Sequence, residues 1–125
     1  MYKALFHYLD GGTKTSFINS STAVKGDNVL VNASLVNSSQ AVENLQTEAQ
    51  QLNLATPGDD FQQNNNIVKV QYYKYVSQQI EAGNSVFDAL SNSGAALNQF
   101  LDSKSTIINV TANEVFLDAL DLVSN

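Results

Sequence analysis

The strongest local signal in this sequence marks the start of a helix near its C-terminal end. Thr111 and Glu114 stand three residues apart, the spacing of a capping box, in which each side chain bonds the backbone of the other residue. In the residues that follow, Glu114, Asp118 and Asp121 fall on one narrow stripe. The rest of the circumference is mostly apolar, with Val115, Phe116, Leu117, Ala119, Leu120, Leu122 and Val123. An arc this wide predicts burial on more than one side, either as a central core helix or as a helix whose second side meets a partner.

A second helical pattern follows the polar cluster at residues 37–39, whose Asn and Ser side chains are typical helix N-caps. Four apolar residues then recur at spacings of three and four: Val42, Leu45, Ala49 and Leu52. The pattern predicts an amphipathic helix as far as Leu54, and the only proline, Pro57, follows its end. The same stripe matches a heptad seam. Two heptads are too few to establish a coiled coil, so core packing within the domain is favoured.

The N-terminal third favours strands. Residues 2–9 alternate weakly and end at Asp10, Gly11 and Gly12, a turn signal, and residues 13–19 are a candidate returning strand. Residues 29–36 are rich in β-branched side chains and form the best strand candidate of this region. We therefore predict a β-hairpin or a three-stranded meander over residues 1–36, although residues 2–9 also permit a short helix.

The middle of the chain gives weaker signals. Residues 56–66 contain a run of Gln and Asn and are predicted to be a loop, whereas residues 67–81 fit either a helix or the start of a strand, and their length favours a helix. Ser85 and Asp88 predict the start of another helix, in which Gly94 either permits close approach of a neighbour or splits the helix in two. Residues 106–110 are predicted to be a short strand or an extended lead-in to the last helix.

The order of these elements predicts an α+β fold, with an N-terminal β-hairpin or meander followed by three to four helices. An all-α bundle is the alternative if residues 1–36 are loop or helix. The length of 125 residues fits a single domain, 1–125, with a strand-rich part at 1–36 and a mainly helical part at 37–125.

Low charge is the clearest compositional feature. Asn, Gln, Ser and Thr supply 45 of the 125 residues, whereas charged residues are only 14% of the chain. The net charge is −6 and all six basic residues are lysines, so direct binding of nucleic acid is not expected. The sequence has neither a signal-peptide pattern nor an apolar run long enough for a membrane span. We expect a soluble chain without membrane insertion; its location is left open, with a virion and the cytoplasm as the two candidates.

Catalytic and metal-binding chemistry finds little support. The chain has no cysteine and one histidine, His7, which excludes thiolate nucleophiles and Cys- or His-rich zinc sites built by one chain. Phosphate-binding glycine loops are also missing. Carboxylate chemistry, with Asp10, Asp59 or Asp60, is the one remaining route to an enzyme. Asp59 and Asp60 are also candidate calcium ligands. Turn formation is the better explanation for all three aspartates. We predict no catalytic residues, no metal site and no cofactor.

Tyrosines are densest at positions 72, 73 and 75, where Lys69 and Lys74 interleave with them. This pattern is compatible with a platform on which a sugar or a base stacks. The favoured interpretation places Tyr72 and Tyr75 in the core and leaves Tyr73 facing solvent.

Taken together, these features favour a non-catalytic structural or assembly subunit of a larger particle or homo-oligomer, of which a virus or phage virion is one example. Its expected partners are proteins or copies of itself. A small adaptor module that recognises a protein, peptide or glycan is the alternative, and a carboxylate-based enzyme ranks third. The predicted partner-binding residues comprise four side chains of the C-terminal helix and one tyrosine: Val115, Phe116, Leu120, Val123 and Tyr73.

Overall fold

The computed structural model describes residues 35–54, 60–104 and 107–125, and this part of the chain is helical. Its five helices are α1 Ser38–Leu54, α2 Asp60–Glu81, α3 Val86–Ser91, α4 Gly94–Asp102 and α5 Ala112–Leu122. The described residues are 77% helical and include no strand. The predicted α+β class is therefore wrong, and the all-α alternative fits.

The predicted N-terminal strands at 2–9 and 13–19 lie outside the described residues, as does the third predicted strand, 29–36, apart from its last two residues. The last two residues of the third predicted strand are described, and they pair with the C-terminal end of the chain. Leu35 forms an isolated antiparallel bridge with Ser124, and the Val36 amide donates to the Val123 carbonyl at 2.9 Å. Asn125 Nδ2 donates to the Leu35 carbonyl at 3.2 Å. These bonds join the segment just before α1 to the segment just after α5.

Helix α1 confirms the predicted amphipathic helix. Asn37 caps it, because its side-chain oxygen accepts the Gln40 amide at 2.8 Å. Ala41, Leu45 and Ala49 recur every four residues and are buried. Of the helix pairs among the described residues, α1 and α2 have the most extensive contact. Of the predicted apolar stripe, Leu45 and Ala49 are buried, whereas Val42 and Leu52 are partly buried against the same core, so the stripe serves core packing within this chain.

Helix α2 starts earlier than the sequence indicated. Residues 60–66, predicted to be part of a loop, form its first turns, and the ambiguous residues 67–81 continue the same helix. Asn has modest helix propensity, so a run of amides carries little information about where a helix begins. The helix ends before Gly83, whose φ of 112° is in the left-handed region that glycine occupies without steric cost.

Two short helices follow and confirm two local predictions. Ser85 caps α3, since its Oγ accepts the Asp88 amide at 3.0 Å. The break between α3 and α4 falls just before Gly94, so this region forms two helices. This outcome fits the alternative in which the helix is split in two at Gly94. Ser93 Oγ donates to the Ala89 carbonyl across the break. The bond satisfies a buried hydroxyl where the helical path is interrupted.

Helix α5 begins with the predicted capping box: the Glu114 amide donates to Thr111 Oγ1 at 3.1 Å, and the Thr111 amide donates to Glu114 Oε1 at 2.9 Å. The helix contacts both α1 and α4, which accounts for its wide apolar arc. Buried residues of all five helices form one hydrophobic cluster. Residues 107–110, the described part of the segment predicted to be a short strand or an extended lead-in, form no strand and precede α5 without regular secondary structure. None of the described helices has both the length and the apolar content to cross a membrane.

Candidate functional site

A pocket of about 310 Å³ lies where α1, α2 and α5 meet, and we call it the carboxylate pocket. Its polar lining consists of Glu48, Lys69, Tyr73, Asp118 and Asp121. Each helix contributes residues three or four positions apart, which places them on the same helical face. The sequence thus provides the pocket lining in short local groups, and the packing of the three helices brings these groups together.

The charges in the carboxylate pocket are unbalanced. Lys69 Nζ lies 3.3 Å from Asp118 Oδ2, and the lysine side chain is 24% exposed whereas that of Asp118 is 51% exposed. No ion pair involves Glu48 or Asp121 among the described residues. The lining thus carries one ammonium, which is paired with Asp118, and three carboxylates.

Tyr73 is the most buried polar side chain of this pocket, with only 2% of its surface exposed. Its ring lies 6.3 Å from that of Tyr72. Burial raises the pKa of Tyr73 well above the ordinary value of about 10, and the charges of Asp118 and then Glu48 raise it further. The phenol therefore stays protonated at neutral pH and keeps both its donor and its acceptor capacity.

An apolar wall completes the carboxylate pocket. Leu52 on α1 and Leu122 at the end of α5 both line it and are half-buried. The end of α5 is held in place because Asn44 Nδ2 donates to the Leu122 carbonyl at 2.8 Å. The pocket thus combines carboxylates, a phenol and two aliphatic side chains.

A second groove, which we call the amide groove, lies between α1 and α2 and has a volume of about 480 Å³. Its polar lining is mostly neutral, with Gln46, Gln50, Asn53 and Gln78 beside Lys74 and Glu81. Two small buried residues, Ala49 and Ser77, also line it. The residues that line this groove come from α1 and α2 and none from the described part of α5. The amide groove therefore lacks the α5 carboxylates that line the carboxylate pocket.

Three large apolar side chains are exposed in the described part of the chain: Leu54 at 80%, Phe61 at 45% and Ile107 at 43%. A reciprocal amide pair brings the regions of Phe61 and Ile107 together. Asn65 Nδ2 donates to Asn109 Oδ1 at 2.6 Å, and the Asn109 amide donates to Asn65 Oδ1 at 3.1 Å. Phe61 lies one helical turn before Asn65, and Ile107 lies two residues before Asn109. We call the region formed by Phe61, Asn65, Ile107 and Asn109 the α2 tip.

The five side chains predicted to bind a partner are all buried: Val115, Phe116, Leu120, Val123 and Tyr73. They pack inside the described chain. Their partner-binding role is untested and stays a prediction. The expectation that Tyr73 faces solvent is wrong, because a second face of α2 is covered as well. Tyr72 is buried as expected, whereas Tyr75 is half-buried and meets Phe100 edge-on at 6.3 Å.

The remaining candidate residues of the sequence lie mainly outside the described part. His7, Asp10 and Asp59 are in undescribed segments, as is the side chain of Asp60. Among the described residues, no three His, Cys, Asp or Glu side chains are arranged to hold a metal ion. The carboxylate pocket is therefore a charged site without the ligand geometry of a metal centre.

Sequence reasoning missed the carboxylate pocket. Asp118 and Asp121 were recognised as one stripe, but they were interpreted only as the solvated edge of a helix. Glu48 gave no signal of its own. The pocket becomes visible only when the contacts among α1, α2 and α5 are known. Comparison of the chain with protein-family models, with characterised proteins and with solved structures gives no match.

Proposed function

We propose that this chain is a non-catalytic assembly subunit that associates with copies of itself through the α2 tip. The observation that carries the proposal is the exposure of Phe61 and Ile107 in neighbouring parts of the surface, 45% and 43% respectively. Exposed apolar side chains are ordinary when they are scattered, but they indicate an interaction surface when they lie together. The Asn65–Asn109 pair fixes the two segments that carry them.

The first turns of α2 support an interface because nothing in the described chain covers them fully. Residues 61–67 are all exposed or half-buried, and the first buried residue of α2 after them is Val68. Three consecutive asparagines in this stretch have modest helix propensity. Most helical stability in proteins comes from packing of a helix face, so contact with a second copy would stabilise these turns.

The absence of charge at the α2 tip favours a second copy as the occupant. Residues 61–67 and 107–111 contain no Asp, Glu, Lys or Arg, although the whole chain carries a net charge of −6. Two identical acidic chains repel each other, and they approach most easily through an uncharged region. Neutral amides at the tip also supply matched donors and acceptors for contact between copies. A virus or phage particle is our proposed example of the larger assembly.

Sedimentation velocity of the full chain over micromolar concentrations tests this function. We expect the wild type to associate reversibly, and we expect the double variant Phe61→Ser with Ile107→Ser to shift towards monomer. Gln63→Ser is the matched control, since Gln63 is an exposed neutral residue of the same turns. A monomeric wild type over the whole range contradicts the proposal, as does a double variant that associates like the wild type.

A further inference from the structure

We propose that the α2 tip docks on the α2 tip of a second copy, so that two chains form a two-fold symmetric pair that closes on itself. This inference rests on the proposed self-association and deepens it, because self-association alone also allows the tip of one copy to bind a different surface of the next. Such a head-to-tail contact leaves a tip open and continues to a ring or a filament, whereas a two-fold contact uses both tips and stops at two chains.

The distribution of exposed apolar side chains favours tip-to-tip contact. Of the three large apolar side chains exposed in the described part of the chain, Phe61 and Ile107 belong to the α2 tip. The third, Leu54, is the last residue of α1. A head-to-tail contact on the described surface would press Phe61 and Ile107 mainly against polar groups, which then lose their water. Tip-to-tip contact instead brings apolar side chains of both copies into one interface.

Charge separates the two arrangements further. The chain has a net charge of −6, so a tip that docks on another surface of the same chain gains from lysine side chains. None of the six lysines falls within residues 61–67 or 107–111. Tip-to-tip contact brings identical side chains close together, where any charge would be repelled by its equal. An uncharged tip therefore suits a two-fold contact better than a head-to-tail one.

The Asn65–Asn109 pair supplies hydrogen-bonding groups that match themselves. Asn109 is exposed, and its Oδ1 accepts from Asn65 Nδ2, so the two donors of its own Nδ2 are directed away from Asn65. A carboxamide carries donors and acceptors together, and it can therefore bond the same group of a second copy reciprocally. An ionised carboxylate has only acceptors and an ammonium only donors, so neither can pair with its own copy in this way.

A mixing experiment distinguishes the two arrangements. Three full-length chains, namely the wild type, Phe61→Ser with Ile107→Ser, and Gln63→Ser, are labelled with a fluorophore at the α-amino group and kept at trace concentration. Unlabelled wild type is titrated into each, and fluorescence anisotropy follows association. In a tip-to-tip pair the double variant offers the wild type no apolar tip. In a head-to-tail contact it still offers an intact docking surface to the wild-type tip.

We expect the wild type to bind the labelled double variant about tenfold more weakly than it binds labelled wild type, the size expected when interface side chains are truncated. Gln63→Ser is the matched control from the same exposed turns and is expected to bind like the wild type. Phe61 and Ile107 are partly exposed, so the double variant is expected to fold. If it does not, either single variant replaces it, with a smaller expected loss.

Two results would overturn the two-fold pair. One is a loss no greater than about twofold in the double variant, since a head-to-tail contact removes only one of the two ways in which the copies meet. The other is an equal loss in Gln63→Ser and in the double variant. Failure of the proposed function gives a different result, because labelled wild type then does not bind unlabelled wild type at any concentration of the titration.

Discussion

The carboxylate pocket and the amide groove both lie against α1 and α2, yet their chemistry differs. Residues of α5 contribute to the carboxylate pocket, where a tyrosine is buried and carboxylates of two helices face it. Residues of α5 do not contribute to the amide groove, whose lining is mostly neutral amides. Helices α1 and α2 alone thus form a largely neutral polar groove, whereas α5 adds carboxylates on the other side of the pair and makes that side a charged pocket.

The difference also shows where the stability of the molecule resides. Phe116 of α5 is fully buried, whereas Gln50 of the amide groove is exposed. Burial of large apolar side chains is the main favourable contribution to folding, and exposed amides contribute little. The side of the α1–α2 pair that faces α5 is therefore expected to respond to mutation far more strongly than the amide side.

The largest expected effect comes from removing the main side chain of α5. Phe116→Ala is expected to lower the free energy of unfolding by about 3–5 kcal/mol, because it leaves a cavity in the core. Gln50→Ala, its counterpart in the amide groove, is expected to change it by less than about 0.5 kcal/mol. Urea denaturation followed by circular dichroism measures both. Similar losses in the two variants would contradict the difference between the two sides.

The next effect appears only at alkaline pH. Burial and the neighbouring Asp118 and Glu48 carboxylates raise the pKa of Tyr73, so the folded state holds this proton more tightly than the unfolded state does. The resulting stability is complete below the unfolded pKa of about 10 and is lost as pH rises towards the folded pKa. Tyr73→Phe removes this dependence.

Denaturation curves of the wild type and of Tyr73→Phe, recorded on both sides of pH 10, test the alkaline effect. The wild type is expected to lose more stability over this range than the variant. Lys69 and the other ionisable groups are present in both proteins, so their contributions largely cancel in the comparison. Equal losses would show that Tyr73 is not buried beside the two carboxylates.

The smallest expected effect compares one lysine from each side. Lys69→Gln breaks the ion pair with Asp118 and is expected to cost up to about 1 kcal/mol, since both side chains are partly exposed and screened by water. Lys74→Gln in the amide groove has no ion pair to break among the described residues and is expected to be neutral. Thermal unfolding at low and high salt measures the difference, which should shrink as salt increases. A salt-independent difference would contradict an electrostatic origin.

Features set by a few neighbouring residues were predicted from the sequence. The capping box at Thr111 and Glu114, the cap at Ser85 and the buried face of α1 depend on local spacing, and the structure confirms each of them. The first turns of α2 were missed because their amides favour neither helix nor loop strongly. The α+β class was wrong because the described part of the chain is 77% helical and includes no strand. For residues 107–110, strand propensity was weak evidence without knowledge of what the segment packs against.

The surfaces of the molecule depend on tertiary contacts and could not be predicted in the same way. Tyr73 was expected to face solvent, but it is buried in the pocket that α1, α2 and α5 line together. The wide apolar arc of α5 allowed either a core helix or a partner surface, and both Val115 and Phe116 are buried within the chain. The α2 tip depends on the Asn65–Asn109 pair, which joins residues that are 44 positions apart.

The most direct test of the account is a concentration series of amide NMR spectra of the full chain. Association through the α2 tip predicts shifts that grow with concentration at Phe61, Asn65 and Ile107. It also predicts that the amides of Tyr73 and Phe116 stay unchanged, because these residues lie in the core of each copy. Shifts centred on Phe116 and its helix, or spectra that do not change with concentration, would contradict the account.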